Sequence, residues 1–312
     1  HTHISNFNEP GTLTGSDGNE VTDPLTPQVR AMDAVNPYDY AISKVREAGF
    51  TTVCILPGSA NVIGGTGIVM DVNTGGIVAM ASYPNYDPGD FSTIYTEGLQ
   101  AELDAALAEI QQNRSTYETE EAYNQALANA RATIQFKQWR NKCYQDTYEP
   151  GSTFKSIVLA AALEEGVVDE NSTFDCPGYY MVNGVRINCS KVQGHGHQTL
   201  AEAVQNSCNP AFMMIGQRLG AEKFYDYFEA FGMTEVTGID LPGEEKGQDW
   251  GREYFTSLEG YLSLATASFG QRFTATPLQM ITAFSAVING GNLYQPYVVQ
   301  SITDDSGAVL QN

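Results

Sequence analysis

Pro150-Gly151 interrupts the chain, and immediately after it lies the sharpest local signal: Ser152-Thr153-Phe154-Lys155, then the apolar run Ile157 to Leu163. Pro-Gly is loop punctuation, so a helix should start just after it. The run is the longest apolar stretch in the chain, yet far short of the roughly 18–20 residues of a membrane span. It therefore predicts a helix buried in a globular core. The 312 residues, 42% hydrophobic and 17% charged, suffice for one large domain or two modest ones. Sixteen Lys plus Arg against 37 Asp plus Glu leave a net charge of −21. Such a surface repels phosphate backbones, which excludes a nucleic-acid partner. The chain opens on His1 without a signal-like segment. A fragment or processed product is the expectation, with its address encoded elsewhere.

Texture divides the chain near residue 66. Gly, Asn, Asp, Thr and Pro crowd positions 5 to 28, a helix signal covers 37 to 49, and Thr51 to Leu56 is rich in β-formers. From Ile68 the pattern sharpens. Ile68-Val69-Met70 and Ile77 to Met80 flank Asp71 to Gly76, a strand–turn–strand signal. Residues 98 to 135, rich in Ala, Glu and Gln, predict two antiparallel helices broken near Asn113 to Thr116. Further helices are expected near Thr199 to Leu219 and over Pro277 to Ile288, the latter stopped by Gly290-Gly291. Tyr297 to Ile302 and Ala308 to Leu310 predict a final hairpin.

At the start of the buried helix, Ser152 and Lys155 are three residues apart and share a helical face. The amine can reach the serine oxygen and, when neutral, take its proton, as an activated nucleophile requires. Burial and the positive helix end both disfavour the ammonium. Ser-x-x-Lys alone is a weak signal, met by chance about once in a chain of this length. Its bland counterpart is a capping serine beside a surface lysine.

The string Tyr148-Glu149-Pro150-Gly151-Ser152-Thr153-Phe154-Lys155 resembles the active-site motif of the transpeptidase domain of penicillin-binding proteins. Ser-x-x-Lys, Ser-x-Asn and Lys-Thr-Gly mark that superfamily and the serine β-lactamases. Ser207-Cys208-Asn209 supplies the second element in the right order, after Gly194 to Leu200. "GIVMDVNTGGIVAMASYPNYDP" (67–88) and "SFGQRFTATPLQMITAFSAVINGG" (268–291) carry the same texture, so the resemblance runs over about 67 to 312. It implies an α+β fold, an antiparallel sheet packed on a mostly helical subdomain, with 98–135 as a helical insertion. Ser152 is then the acylated nucleophile, Lys155 its general base and Ser207 a proton relay. Asn209 would hold the substrate amide or the lysine, and the backbone N–H of Ser152 would be one oxyanion donor. The implied reaction is peptidoglycan cross-linking by a D,D-transpeptidase, at the extracytoplasmic face of the bacterial membrane. Stem peptides and β-lactams would be its partners; no cofactor is implied, and the membrane enters only through an N-terminal anchor outside this sequence.

No lysine here is followed by Thr-Gly or Ser-Gly. The resemblance therefore implies a domain truncated at its C-terminus, short of the strand that binds the substrate carboxylate and gives the second oxyanion N–H. A non-catalytic module of the same fold is the alternative. Residues 1–66 point elsewhere. "HTHIS" and the segment from Val35 to Gly65 resemble a piece of a metal-dependent amidohydrolase, with His1 and His3 as metal candidates. That family's (β/α)8 barrel needs later strands that nothing after residue 66 supplies, so 1–66 reads as an unrelated fragment rather than a domain. Ser59-Ala60-Asn61 lies outside the match and reads as loop. The five cysteines, at 54, 143, 176, 189 and 208, show no Cys-x-x-Cys spacing. Cys176 and Cys189 read equally as a disulfide or as buried thiols, and the other three as buried thiols. His195 and His197 read as solvated loop residues, so no metal is assigned to them.

Overall fold

The computed structural model describes residues 67–82 and 85–311, with the backbone of the short strands β1 (Leu25–Thr26), β2 (Thr52–Cys54) and β3 (Ile63–Gly64). The expected helix over 37–49, the pair His1 and His3, and Ser59-Ala60-Asn61 lie outside the described residues. Two compact units emerge: residues 82–142, and the remainder up to 81 and from 143.

In the smaller unit, α1 (Glu97–Gln112) and α2 (Glu120–Trp139) are separated by a 3-10 turn at Arg114–Thr116, where the helical pattern breaks. Thr119 caps α2 by accepting from the Ala122 N–H. Gln138, 1% exposed, ties the end of α2 to the entering loop. Its side chain accepts from the Tyr95 N–H and donates to the Thr93 carbonyl, both at 2.8 Å.

The larger unit starts with β4 (Gly67–Asp71) and β5 (Ile77–Ala81), the expected hairpin. β2 pairs with the other side of β4, so the antiparallel order is β2-β4-β5. Ile68 buries against Leu278 and Ile239, and Leu278 belongs to a long apolar helix near the end of the chain. Between them the chain forms α3 (Lys155–Glu164), then strands β6 (Thr173–Cys176), β7 (Tyr179–Val182), β8 (Val185–Asn188) and β9 (Gly196–Thr199). β6 pairs with β9 and β7 with β8, all antiparallel. Helices α4 (Leu200–Gln205), α5 (Asn209–Leu219), α6 (Ala221–Ala230), α7 (Arg252–Phe255), α8 (Tyr261–Ala267) and α9 (Pro277–Ile288) come next. The sequence pattern did not single out α6, α7 and α8. A hairpin of β10 (Ile302–Thr303) and β11 (Val309–Gln311) closes the described chain, its first arm much shorter than the run from Tyr297 predicts.

α3 is buried almost all round, as its unbroken apolar run requires. Phe154, at its entrance, is 1% exposed and meets Phe273 edge-on with centroids 4.8 Å apart. Phe228 packs on both rings. This aromatic nest anchors the turn that carries Ser152.

One expectation needs correction. The single helix expected over Thr199–Leu219 is two helices, α4 and α5, split at Asn206-Ser207-Cys208. Pro210 has no N–H for the Asn206 carbonyl and its ring would clash there, so a helix cannot pass through; near the start of α5 it is tolerated. Ser207 takes φ = 48° at the break, a left-handed conformation that a side chain adopts only at a cost.

Candidate active site

Ser152 lies in a 3-10 turn, Gly151–Phe154, that runs directly into α3 at Lys155. In 3-10 geometry, side chains three residues apart eclipse one another, more closely than on an α-helix. The Ser152 Oγ is accordingly 3.1 Å from the Lys155 Nζ. Gly270 holds this turn from the other side. Its carbonyl accepts from the Gly151 N–H at 2.8 Å, and a Cβ on Gly270 would fall 1.9 Å from the Gly151 carbonyl oxygen. Only glycine, at φ = 81°, permits that approach.

The break between α4 and α5 supplies the other half. Lys155 Nζ lies 2.7 Å from the Ser207 carbonyl, 2.9 Å from the Ser207 Oγ and 2.7 Å from the Asn209 Oδ1. The left-handed turn at Ser207 is what points its carbonyl and its hydroxyl at the same amine. Ser152, Lys155, Ser207 and Asn209, the four residues to which the family resemblance points, thus converge on one point. Exposure sorts them: Ser152 is exposed, Ser207 and Asn209 are half-buried, and Lys155 is 4% exposed.

Burial drives the Lys155 amine far below the ordinary lysine range, to about 7, against the opposing influence of the Cys208 and Cys189 thiols. A neutral amine suits its neighbours. Two N–H groups can go to the carbonyl oxygens of Ser207 and Asn209, which only accept, leaving the lone pair for a serine hydroxyl. The arrangement can therefore take a proton from Ser152, directly or through Ser207, while the nucleophile faces solvent.

The strain at Ser207 separates function from stability. Ser207→Gly should leave the melting temperature unchanged or raise it, because glycine tolerates φ > 0. Penicillin labelling should fall by about 10²-fold if the hydroxyl relays the proton. Thermal unfolding and labelling measured on the same sample check this; unchanged labelling would show that Ser207 serves only the turn.

One sequence expectation changes here, and one left open is decided. His195 is not a solvated loop residue: it is partly buried, its Nδ1 3.7 Å from the Cys189 Sγ. His197 stays exposed beside Asp175, so the two histidines do not act as a pair. Cys176 and Cys189 are free buried thiols rather than a disulfide. The grouping of Cys176, Cys189, His195 and Cys208 was missed by sequence reading, because no short spacing announces it.

The chain matches the penicillin binding protein transpeptidase domain over residues 65–312. It is 38% identical to stage V sporulation protein D of Bacillus subtilis over 76% of its own length and 30% of that protein. It is 28% identical to the peptidoglycan D,D-transpeptidase MrdA of Escherichia coli K12, over 78% of this chain and 35% of that one. It thus spans about a third of the length of these curated relatives. Among solved structures, the D,D-transpeptidase domain of a peptidoglycan glycosyltransferase from Eggerthella lenta superposes with a TM-score of 0.58 at 27% identity, covering 84% of this chain and 55% of the other. With the α+β architecture and the match over residues 65–312 in agreement, the chain belongs to the penicillin-binding protein transpeptidase domain family.

Proposed function

We propose that the site performs acyl transfer in peptidoglycan cross-linking. The observation that carries this reading is the placement of the buried Lys155 amine within 3.1 Å of both the Ser152 Oγ and the Ser207 Oγ. Ser152 attacks the carbonyl of a peptide ending in D-Ala-D-Ala as Lys155 accepts its proton. The terminal D-Ala leaves as an amine, taking a proton back through Lys155 and Ser207. An amine of a neighbouring stem peptide then attacks the serine ester, forming the cross-link and freeing Ser152. A β-lactam enters by the same first step and stays attached. Asn209 keeps Lys155 in place and faces the substrate amide. This chemistry belongs at the outer face of the bacterial membrane, where stem peptides are found; among the described residues no helix is long and apolar enough to cross a membrane. Incubation with a penicillin, followed by mass spectrometry of the peptide containing Ser152, tests the reading; an adduct on any other residue overturns it.

A domain of this fold that does not acylate is the alternative reading. The same labelling experiment separates the two. In our reading neither the acyl transfer nor its alternative draws a reacting group from residues 1–66; β2 (Thr52–Cys54) of that segment pairs with β4.

The α1–α2 pair is an accessory insertion in our reading. Its faces are strongly helical by propensity and bring no chemical constellation together. Replacing 98–135 by a short linker should leave the labelling rate within a few-fold. Complete loss of labelling in a variant that still melts cooperatively would assign the pair a direct part in acylation.

A further inference from the structure

Three segments of the larger unit enclose a cavity of about 190 Å³: the turn that follows α6, the middle of α9, and the stretch beginning at Leu293. We propose that this cavity binds a small amphipathic ring, the size of a phenol and carrying one hydroxyl, which pairs with Thr282.

Thr282 carries the argument. It lines the cavity from α9 and is 5% exposed, and its Oγ1 is buried without a hydrogen-bond partner. A serine or threonine inside a helix can return its hydroxyl to the carbonyl four residues back. Ser285, on the same helix, does so to Ile281 at 2.8 Å, and Thr266 in α8 reaches Leu262 at 3.1 Å. Thr282 makes no such bond to Leu278. A buried hydroxyl left unpaired is costly, and its place in a cavity wall points to an occupant that pairs it.

Water is a poor occupant, because a buried water needs roughly two to four polar partners. Gln279, another deeply buried polar side chain of the wall, has none to spare. Its Nε2 donates to the Gly232 and Glu235 carbonyls at 3.2 and 2.7 Å, and its Oε1 accepts from the Thr276 N–H. Thr237 is spent as well, its hydroxyl donating to Glu244 at 2.6 Å. Phe231, Val236, Leu293 and Tyr294 give the wall its apolar surface. Of these, Val236, Leu293 and Tyr294 are 46%, 41% and 39% exposed, a patch at one cavity rather than scattered single residues.

Size sets the class of ligand. A cavity of roughly 150 Å³ takes benzene, and drug-sized pockets begin near roughly 300 Å³. The 190 Å³ here suits one substituted ring and excludes a helix or a peptide strand. An apolar body with a single hydrogen-bonding group matches apolar walls with one unpaired hydroxyl. The walls are also fixed in advance, which lowers the cost of binding. Gln279 fastens the turn after α6 to α9, and Gln295 donates to the Gly238 carbonyl at 2.5 Å. Asn289 and Asn292 close the turn that leads into Leu293. At Gly232, with φ = 75°, an added Cβ would come within 3.3 Å of Leu293 Cδ2. The cavity shares no residue with the Ser152 site, and its ligand does not depend on acyl transfer.

4-Fluorophenol titrated into the 312-residue chain and followed by fluorine NMR tests the assignment. Saturable line broadening is expected, reversed by phenol, and retained in Ser152→Ala and after incubation with a penicillin. 4-Fluorotoluene, of similar shape without the hydroxyl, should bind about fivefold more weakly. Thr282→Val keeps the shape of the side chain and should erase that difference. It should melt at the same temperature or higher, since the unpaired hydroxyl is gone. Leu293→Trp should fill the cavity and abolish binding of both probes; Val236→Trp is the second filling variant if the first does not fold. Lack of saturable binding overturns the site, as does binding unchanged in Thr282→Val and in a folded filling variant. Binding lost after penicillin treatment would put the ring in the acylation cleft and overturns it too. Equal affinity for the two probes overturns the pairing with Thr282. N-acetyltyrosinamide competing better than phenol overturns a free small molecule in favour of a peptide-borne ring.

Discussion

Ser152→Ala should abolish covalent labelling of this chain by a fluorescent penicillin, whereas the unaltered 312 residues should label slowly. The slow rate has a physical origin. The Ser152 Oγ and the Lys155 base are in place, but these residues contain no Lys-Thr-Gly. A strand bearing that motif would supply an oxyanion N–H and the grip on the substrate carboxylate. Loss of one oxyanion donor typically costs about 10²–10³ in rate, and loss of the anchor adds to it. A chain extended through Lys-Thr-Gly should therefore label faster by at least that factor. Gel fluorescence against time, with Ser152→Ala as control, makes the comparison. Rapid stoichiometric labelling of the 312-residue chain would show that the third motif is dispensable, and labelling that survives Ser152→Ala would remove Ser152 from the mechanism.

Lys155→Met should reduce labelling by about 10²–10⁴-fold, the usual worth of a positioned general base. Methionine fills similar space without a proton acceptor, so the loss reports chemistry more than packing. In the unaltered chain the labelling rate should rise with pH and level off above about 7, where the Lys155 amine is neutral. Stability should depend on the same group. Its pKa falls from 10.5 in the unfolded chain to about 7 in the fold. Between those values the unfolded chain holds the extra proton, so stability rises with pH across that window. Below about 7 both states are protonated and the contribution is flat, the buried ammonium then opposing folding by its full amount. Lys155→Met removes this slope. Urea unfolding of both proteins from pH 7 to 9.5 measures it, and parallel curves would show that Lys155 is charged in the fold.

Sequence alone determined what depends on near neighbours. The turn at Pro150-Gly151, the buried helix after it and the Ser152–Lys155 pair come from apolar periodicity and a three-residue spacing. The β4–β5 hairpin and the sharp limits of α9, where Thr276 and Gln279 form a capping box before Pro277 to Ile288, are equally local. Motif order also named Ser207 and Asn209, although nothing in their spacing shows that they reach Lys155. Only the tertiary structure decided that. The turn at Ser207 is left-handed because Pro210 forbids a continuous helix and because α5 must pack on α3, and its φ has no signature in residue type. The Cys176, Cys189, His195 and Cys208 cluster was still less legible. No two of its members are closer in sequence than Cys189 and His195, and their meeting depends on the register of β6 with β9, where Cys176 lies opposite Gly196. A one-residue slip in that pairing would turn Cys176 to the other face. Local periodicity reports contacts within one element, whereas four side chains from four elements are brought together by strand register and loop closure, which are properties of the packed chain.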